Sequence, residues 1–306
     1  MSSSQSSQQS SSQQIFKKRP ILYLLGDSIT EQSTRLNGLH SLLLDWYSVK
    51  VDIINRGCSG YNSDMILEAL KNNFNEAFYE CTCRRVQTNH HHNSNKELIA
   101  NVPSNSSSLP TVSVFICLGA NDASSEHVSG GVKQHVPLVR YSENLQAIIQ
   151  LLKTNLAYAR LDILLCTPPP VHTLQYANYL KEKHNDDGII EVRSEALVRP
   201  YAQAVRDLVE QYHTKKTLED DCSNFAIHLV DLWKGSSNVE AWKQQSAFTD
   251  GLHLSSDGYR IVFKCLKSVI SKQVPHFNAD AMSFSHIYWR TYLELVQQNG
   301  SEQHQQ

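Results

Sequence analysis

The stretch Phe248-Thr249-Asp250-Gly251-Leu252-His253 holds an acid and a base three positions apart in one short loop. Histidine is the side chain best suited to move protons near neutral pH, and a carboxylate beside it sets its tautomer and steadies the imidazolium. Just beyond, Ser255-Ser256-Asp257 precedes a run with helical apolar spacing, which is an N-cap signal. The pair is therefore expected on a loop pinned by a helix start. What it lacks is a nucleophile. Three turns elsewhere offer one with its helpers: Gly26-Asp27-Ser28, Gly57-Cys58-Ser59-Gly60 and Gly119-Ala120-Asn121-Asp122. A serine facing a histidine that an aspartate orients is the arrangement for acyl transfer through a covalent intermediate.

Each residue also has a plain structural use. Ser28 could cap the helix after the first strand, Asp27 reads as a structural hydrogen-bonder, and Asn121 could simply tie down its turn. Among 14 histidines most are structural, and His253 stands out because it ends the only Asp-x-x-His. Glu210 and His213 form a second acid-x-x-His, but inside a helical run where side chains three apart meet without chemistry.

The elements that would position these residues alternate. Short apolar runs at Ile21–Leu25, Val51–Ile54, Val112–Leu118, Leu161–Cys166 and Ala226–Leu232 read as strands. Helical spacing fills Leu36–Tyr47, residues 64–80, Val139–Leu156, Ala196–His213 and, briefly, Val239–Gln244. Strands that are apolar throughout and alternate with helices imply a parallel sheet covered on both faces. In such sheets ligands bind beyond the carboxyl ends of the strands, which is where the three turns fall. No repeat and no second change in composition argue for a second domain.

Composition narrows the function further. With 28 basic against 30 acidic residues the formal charge is -2, so nothing electrostatic points to nucleic acid or an anionic membrane. At 41% hydrophobic residues the chain can bury a sizeable core. The seven cysteines are scattered, and Cys117 and Cys166 lie in apolar runs, as expected of buried thiols in a reducing compartment. There is no secretory signal and no apolar run near the ~20 residues needed to span a bilayer; the expectation is a cytoplasmic protein. Residues 1–18 form a Ser/Gln-rich tail, residues 298–306 a second polar tail, and 81–110 a polar insert with His90, His91 and His92. Cys81-Thr82-Cys83 ahead of those histidines fits no structural zinc spacing, so no metal is assigned. Gly-x-Ser-x-Gly, P-loop and dinucleotide-binding signatures are absent from the chain.

In four blocks the chain resembles the SGNH (GDSL-type) hydrolases. Gly26-Asp27-Ser28-Ile29-Thr30, Gly60, Gly119-Ala120-Asn121-Asp122 and Asp250-Gly251-Leu252-His253 occur in the family's order. Within that family it is most similar to esterases that hydrolyse isoamyl acetate, through Leu118–Ala123, Ala241-Trp242, Thr249–His253 and Trp289-Arg290. The insert, the Ser/Gln tail and Ser63, where a threonine is usual, depart from that branch. The resemblance implies Ser28 as nucleophile, His253 as general base and then acid, and Asp250 as its orienting partner. It implies an oxyanion hole from the backbone N–H groups of Ser28 and Gly60 and the side-chain amide of Asn121. It implies a small acyl pocket, for which Tyr61, Phe248 and Leu252 are wall candidates by adjacency.

The expected architecture is thus one flavodoxin-like three-layer α/β/α domain over 19–297 with a five-stranded parallel sheet. It would act on a small-molecule ester and need no metal or organic cofactor. Acyl thioesters, lysophospholipids or acetylated sugars are the alternative substrates, and a non-catalytic flavodoxin-like ligand-binding module is the alternative of another class. A C-terminal helix over Phe284–Val296 would either cover the pocket or form a homodimer contact.

Overall fold

The order of the five strands is β2-β1-β3-β4-β5, all parallel, in a computed structural model that describes residues 18–79, 109–126, 134–184, 192–218, 224–234, 240–294 and 296. They are β1 (Ile21–Gly26), β2 (Asp52–Gly57), β3 (Thr111–Cys117), β4 (Arg160–Cys166) and β5 (Phe225–Val230). The central strands are buried on both faces and read as unbroken apolar runs. β2, at one edge, does not fit the expectation of strands apolar throughout. It carries Asp52, Asn55 and Arg56 and is only half-buried, because an edge strand meets solvent along one side. It also runs three residues further than its apolar core suggests, ending at Gly57.

Between the strands lie α1 (Ser28–Glu31), α2 (Leu39–Tyr47), α3 (Ser63–Ala77), α4 (Leu138–Asn155), α5 (Thr173–His184), α6 (Glu195–Leu218) and α7 (Ser256–Gln273). α3, α4 and α6 pack in one group, and α2 and α7 in another. Right-handed crossovers put these groups on opposite faces of the sheet. The core runs through both interfaces, with Tyr23, Phe78, Phe115 and Tyr141 among its largest fully buried side chains. α5 was not foreseen; its exposed Leu174 and polar composition hide any apolar stripe.

The register sets the level of the site. Gly26 pairs with Gly57 on one side and Cys117 on the other, Cys117 pairs with Cys166, and Cys166 with Val230. All five strands therefore end on one rim. The chain order reverses between β1 and β3, the switch point at which open α/β sheets leave a crevice.

The C-terminal segment starts its helix later than expected, with residues 289–294 and 296 helical. Ser285 Oγ donates to Val49 O at 3.0 Å, and Lys50 Nζ stands 5.0 Å over the Phe284 ring. Val49 and Lys50 precede β2, so this segment is anchored at the strand-start end, opposite the rim described above. Residues 1–17 of the first tail, the second tail, residues 81–108 of the insert with Cys81, Cys83 and its histidines, and residues 235–239 ahead of one helical turn at 240–242 lie outside the described residues. No described helix is long and apolar enough to cross a membrane.

Candidate active site

Ser28 is the first residue of α1, immediately after β1, and is 8% exposed. The preceding Asp27 caps the helix: its Oδ1 accepts from Ile29 N at 2.9 Å. Burial pushes the Asp27 carboxyl up to about 7, against the helix N–H, with Asp122 adding to the rise and Arg193 and His253 opposing it. Its observed contact is structural, as its neighbours in sequence suggested.

The loop that follows β5 delivers the acid and base. Phe248 and Leu254 form an antiparallel bridge, and Thr249 N donates to His253 O at 2.8 Å, so the stretch is a tight hairpin rather than a loose loop. Gly251 at its tip has φ +92°, and a Cβ there would stand 2.4 Å from Tyr176 N. Only glycine fits, because the tip is pressed against the start of α5, where His172 N donates to Gly251 O at 2.8 Å. Ser255 caps α7 through Asp257 N and Gly258 N, as anticipated. Tyr259 on α7 then donates its hydroxyl to Ile29 O at 2.7 Å, fastening the helix after His253 to the helix that begins with Ser28.

Across the rim, three groups form a series. His253 Nε2 lies 3.0 Å from Ser28 Oγ, and His253 Nδ1 lies 2.7 Å from Asp250 Oδ2. Burial raises the Asp250 carboxyl, but hydrogen bonds from the His253 ring and from the His253 and Leu252 backbone N–H groups outweigh it, leaving the pKa below its ordinary value. An ionised carboxylate only accepts, so Nδ1 carries the hydrogen and Nε2 is left to accept from Ser28. The imidazole thus faces the hydroxyl in the tautomer a general base requires.

Gly60 leaves β2 with φ +81°, and Asn121 follows β3. Asn121 Nδ2 donates to Tyr61 O at 2.8 Å, which occupies one of its two hydrogens. Asp122 accepts from Ser63 N at 2.9 Å, fixing the turn to the start of α3; burial pushes its carboxyl up to about 6, partly offset by those Ser63 hydrogen bonds. The hydroxyl of Ser63, the position that departs from the resembled branch, accepts from Asn144 at 2.9 Å. Of the three wall candidates, Tyr61 is open at 38% exposure, whereas Phe248 at 4% and Leu252 at 6% are core residues. Phe248 packs on Trp242, with ring centroids 5.6 Å apart. A surface groove between α4 and α6, lined by Leu138, Val139, Pro200, Ala204 and Leu208, touches none of the site residues. His213, from the competing acid-x-x-His, bonds Ile227 O at 2.9 Å and has no part in the rim.

Two side chains at the rim escaped sequence reasoning. Arg193, 5% exposed, directs Nη1 to Ala120 O and Nη2 to both Asn121 Oδ1 (2.9 Å) and Gln134 Oε1 (2.7 Å). Gln134 Nε2 in turn donates to Gly60 O at 2.8 Å. Neither residue sits in a spaced motif, so no pattern in the chain announces them.

Comparison with known proteins covers most of the same chain. The profile of the GDSL-like lipase/acylhydrolase family matches residues 22–266. A GDSL esterase/lipase of Arabidopsis thaliana is 31% identical over 80% of this chain and 83% of its own. The human isoamyl acetate-hydrolyzing esterase 1 homolog is 28% identical over 90% of this chain and 89% of its own. Among solved structures, the hydrolase LAE5 from the metagenome of Lake Arreo shares the fold at TM-score 0.51 and 15% identity, covering 84% of this chain and 97% of that one. The chain therefore belongs to the GDSL-like lipase/acylhydrolase family and is an ester-hydrolysing serine hydrolase.

Proposed function

We propose that the chain hydrolyses short-chain carboxylic esters through an acyl-enzyme on Ser28. The observation that carries this reading is His253 standing between Ser28 Oγ at 3.0 Å and Asp250 Oδ2 at 2.7 Å. Ser28 Oγ attacks the ester carbonyl as His253 Nε2 takes its proton, and the carbonyl electron pair moves onto oxygen. The backbone N–H groups of Ser28 and Gly60 and the free hydrogen of Asn121 Nδ2 donate to that oxyanion; losing one such donor typically costs about 10²–10³ in turnover. Collapse breaks the bond to the alcohol, which leaves with the proton from His253. Water then adds to the acyl carbon with His253 again as base, and the acid departs as Ser28 regains its proton.

Preference for small alkyl esters rests on likeness to the relatives named for isoamyl acetate. A cytoplasmic site of action belongs to the same reading, supported among the described residues by Cys58, Cys117 and Cys166 being free thiols. A fluorophosphonate probe is expected to label the purified protein and to spare Ser28→Ala. Labelling that persists in Ser28→Ala, or none of the parent, would overturn the acyl-enzyme. A panel of p-nitrophenyl esters of rising chain length, run against acyl-CoA, tests the substrate class. The expected order is acetate or butanoate first, and preference for long acyl chains or thioesters would refute it.

A further inference from the structure

Asn121 and Gly60 are joined by a closed circuit of hydrogen bonds. It runs from Gly60 O to Gln134 Nε2 (2.8 Å), from Gln134 Oε1 to Arg193 Nη2 (2.7 Å), from Arg193 Nη2 to Asn121 Oδ1 (2.9 Å), and from Asn121 Nδ2 to Tyr61 O (2.8 Å), one residue from its start. Asn62 Nδ2 adds a bond to Gln134 O at 3.0 Å. Accepting the oxyanion reading above, we propose that Arg193 and Gln134 are positioning residues of the oxyanion hole, and that the Arg193 charge acts on the intermediate through the Asn121 amide.

The chemistry of the atoms makes the circuit directional. A guanidinium only donates, so the Asn121 atom facing Arg193 must be oxygen. A backbone carbonyl only accepts, so the atom facing Tyr61 must be nitrogen. The amide therefore has one orientation, with one hydrogen spent on Tyr61 and the other kept for the substrate oxygen. Gln134 is locked by the same logic, since its oxygen must face Arg193 and its nitrogen Gly60. The bond to Gly60 O fixes the Gly60–Tyr61 peptide plane, next to the turn that Gly60 makes at φ +81°. An unheld amide could rotate or flip and would offer the wrong atom to a developing negative charge.

Charge is the second part. Burying a guanidinium is costly unless a partner offsets it. Among the described residues no carboxylate lies within ion-pair distance of Arg193; its bonds go to the oxygens of Ala120, Asn121 and Gln134. Its positive charge thus stands behind the amide, with Asp27 in electrostatic reach but not in ion-pair contact. Negative charge on the substrate oxygen grows only as the tetrahedral intermediate forms, so the interaction strengthens in the transition state and should appear in kcat rather than KM.

The test is a cycle of Arg193→Met and Asn121→Ala, assayed on p-nitrophenyl acetate with melting curves for each protein. Alone, R193M is expected to lower kcat by about 10- to 10²-fold, with KM changed less than about threefold. In the Asn121→Ala background the same substitution should cost less than about threefold, because the amide through which it acts is gone. Arg193→Lys, which keeps the charge but lacks the planar fork, should recover part of the loss. Equal losses in both backgrounds, or a loss confined to KM, would overturn the proposal. Should R193M fail to fold, Gln134→Leu carries the same cycle, with an expected loss of about tenfold that likewise vanishes in Asn121→Ala. Fluorophosphonate labelling of Ser28 in the parent keeps the two readings apart: without it the acyl-enzyme fails, and with it only the positioning roles are at stake.

Discussion

Two places in this molecule hold an aspartate against imidazole at nearly the same distance. At the strand-end rim, Asp250 Oδ2 meets His253 Nδ1 at 2.7 Å. Near the start of β4, Asp162 meets His276 Nε2 at 2.8 Å and His228 Nε2 at 3.1 Å. The difference lies in what the remaining atoms do. Asp250 uses its other oxygen on two backbone N–H groups, so it serves one imidazole, and the far nitrogen of that ring meets a serine hydroxyl. Asp162 divides its oxygens between two imidazoles, and His228 Nδ1 goes to Gln273 at 3.2 Å. Among the described residues no hydroxyl or thiol bonds either ring there. A close Asp–His contact is thus not the mark of the site; the atom on the second ring nitrogen, and the rim of the sheet, are.

That contrast is open to attack in descending order of effect. Ser28→Ala should lower kcat on p-nitrophenyl acetate by about 10⁶-fold while the melting temperature stays near the parent's. A loss under tenfold would mean that the hydroxyl at the rim is not the nucleophile. Asp250→Asn keeps the shape of the loop but no longer enforces hydrogen on Nδ1, and about 10⁴ in kcat should go; retained activity would make Asp250 equivalent to Asp162.

The reverse outcome is expected of Asp162. Burial raises its carboxyl, yet the hydrogen bonds and charges of the two histidines win and hold it down to about 2. A folded pKa below the unfolded one gives stability that is present above about pH 4 and lost as pH falls toward 2. Asp162→Asn should therefore cost roughly 2 kcal/mol in urea unfolding at pH 5, with the gap closing near pH 2 and kcat unchanged within about twofold. A large kcat effect would show that the second cluster reaches the site. Smallest of all, Tyr259→Phe should cost about 1 kcal/mol of stability and lower kcat a few-fold by loosening α7 from α1. A change in KM alone would contradict that strap.

The strand ends and the acid-base pair were readable because each is a local pattern. Ser28, Gly60 and Asn121 lie just past the ends of strands that the level register brings to one rim, and Asp250 and His253 lie in one short hairpin ahead of a capped helix. Arg193 and Gln134 could not be read that way. Each is a single polar residue in a loop, and their importance exists only through contacts with Asn121 and Gly60 across the fold. Phe248 and Leu252 show a different limit: nearness to the acid and base in sequence says nothing about exposure, and both are buried in the core. β2 was cut short because polar residues at an edge strand break the apolar run without breaking the ladder.

The hydroxyl of Ser28 and the imidazole of His253 are 225 positions apart, one after β1 and the other after β5 at the sheet edge. Chains emerge from the ribosome N-terminus first, at about 5–20 residues per second. Ser28 is therefore made more than ten seconds before His253, and on the proposed mechanism a nascent chain carries an inert alcohol until the hairpin and α7 have docked. Premature termination anywhere before α7 would leave a polypeptide that cannot cleave the esters around it.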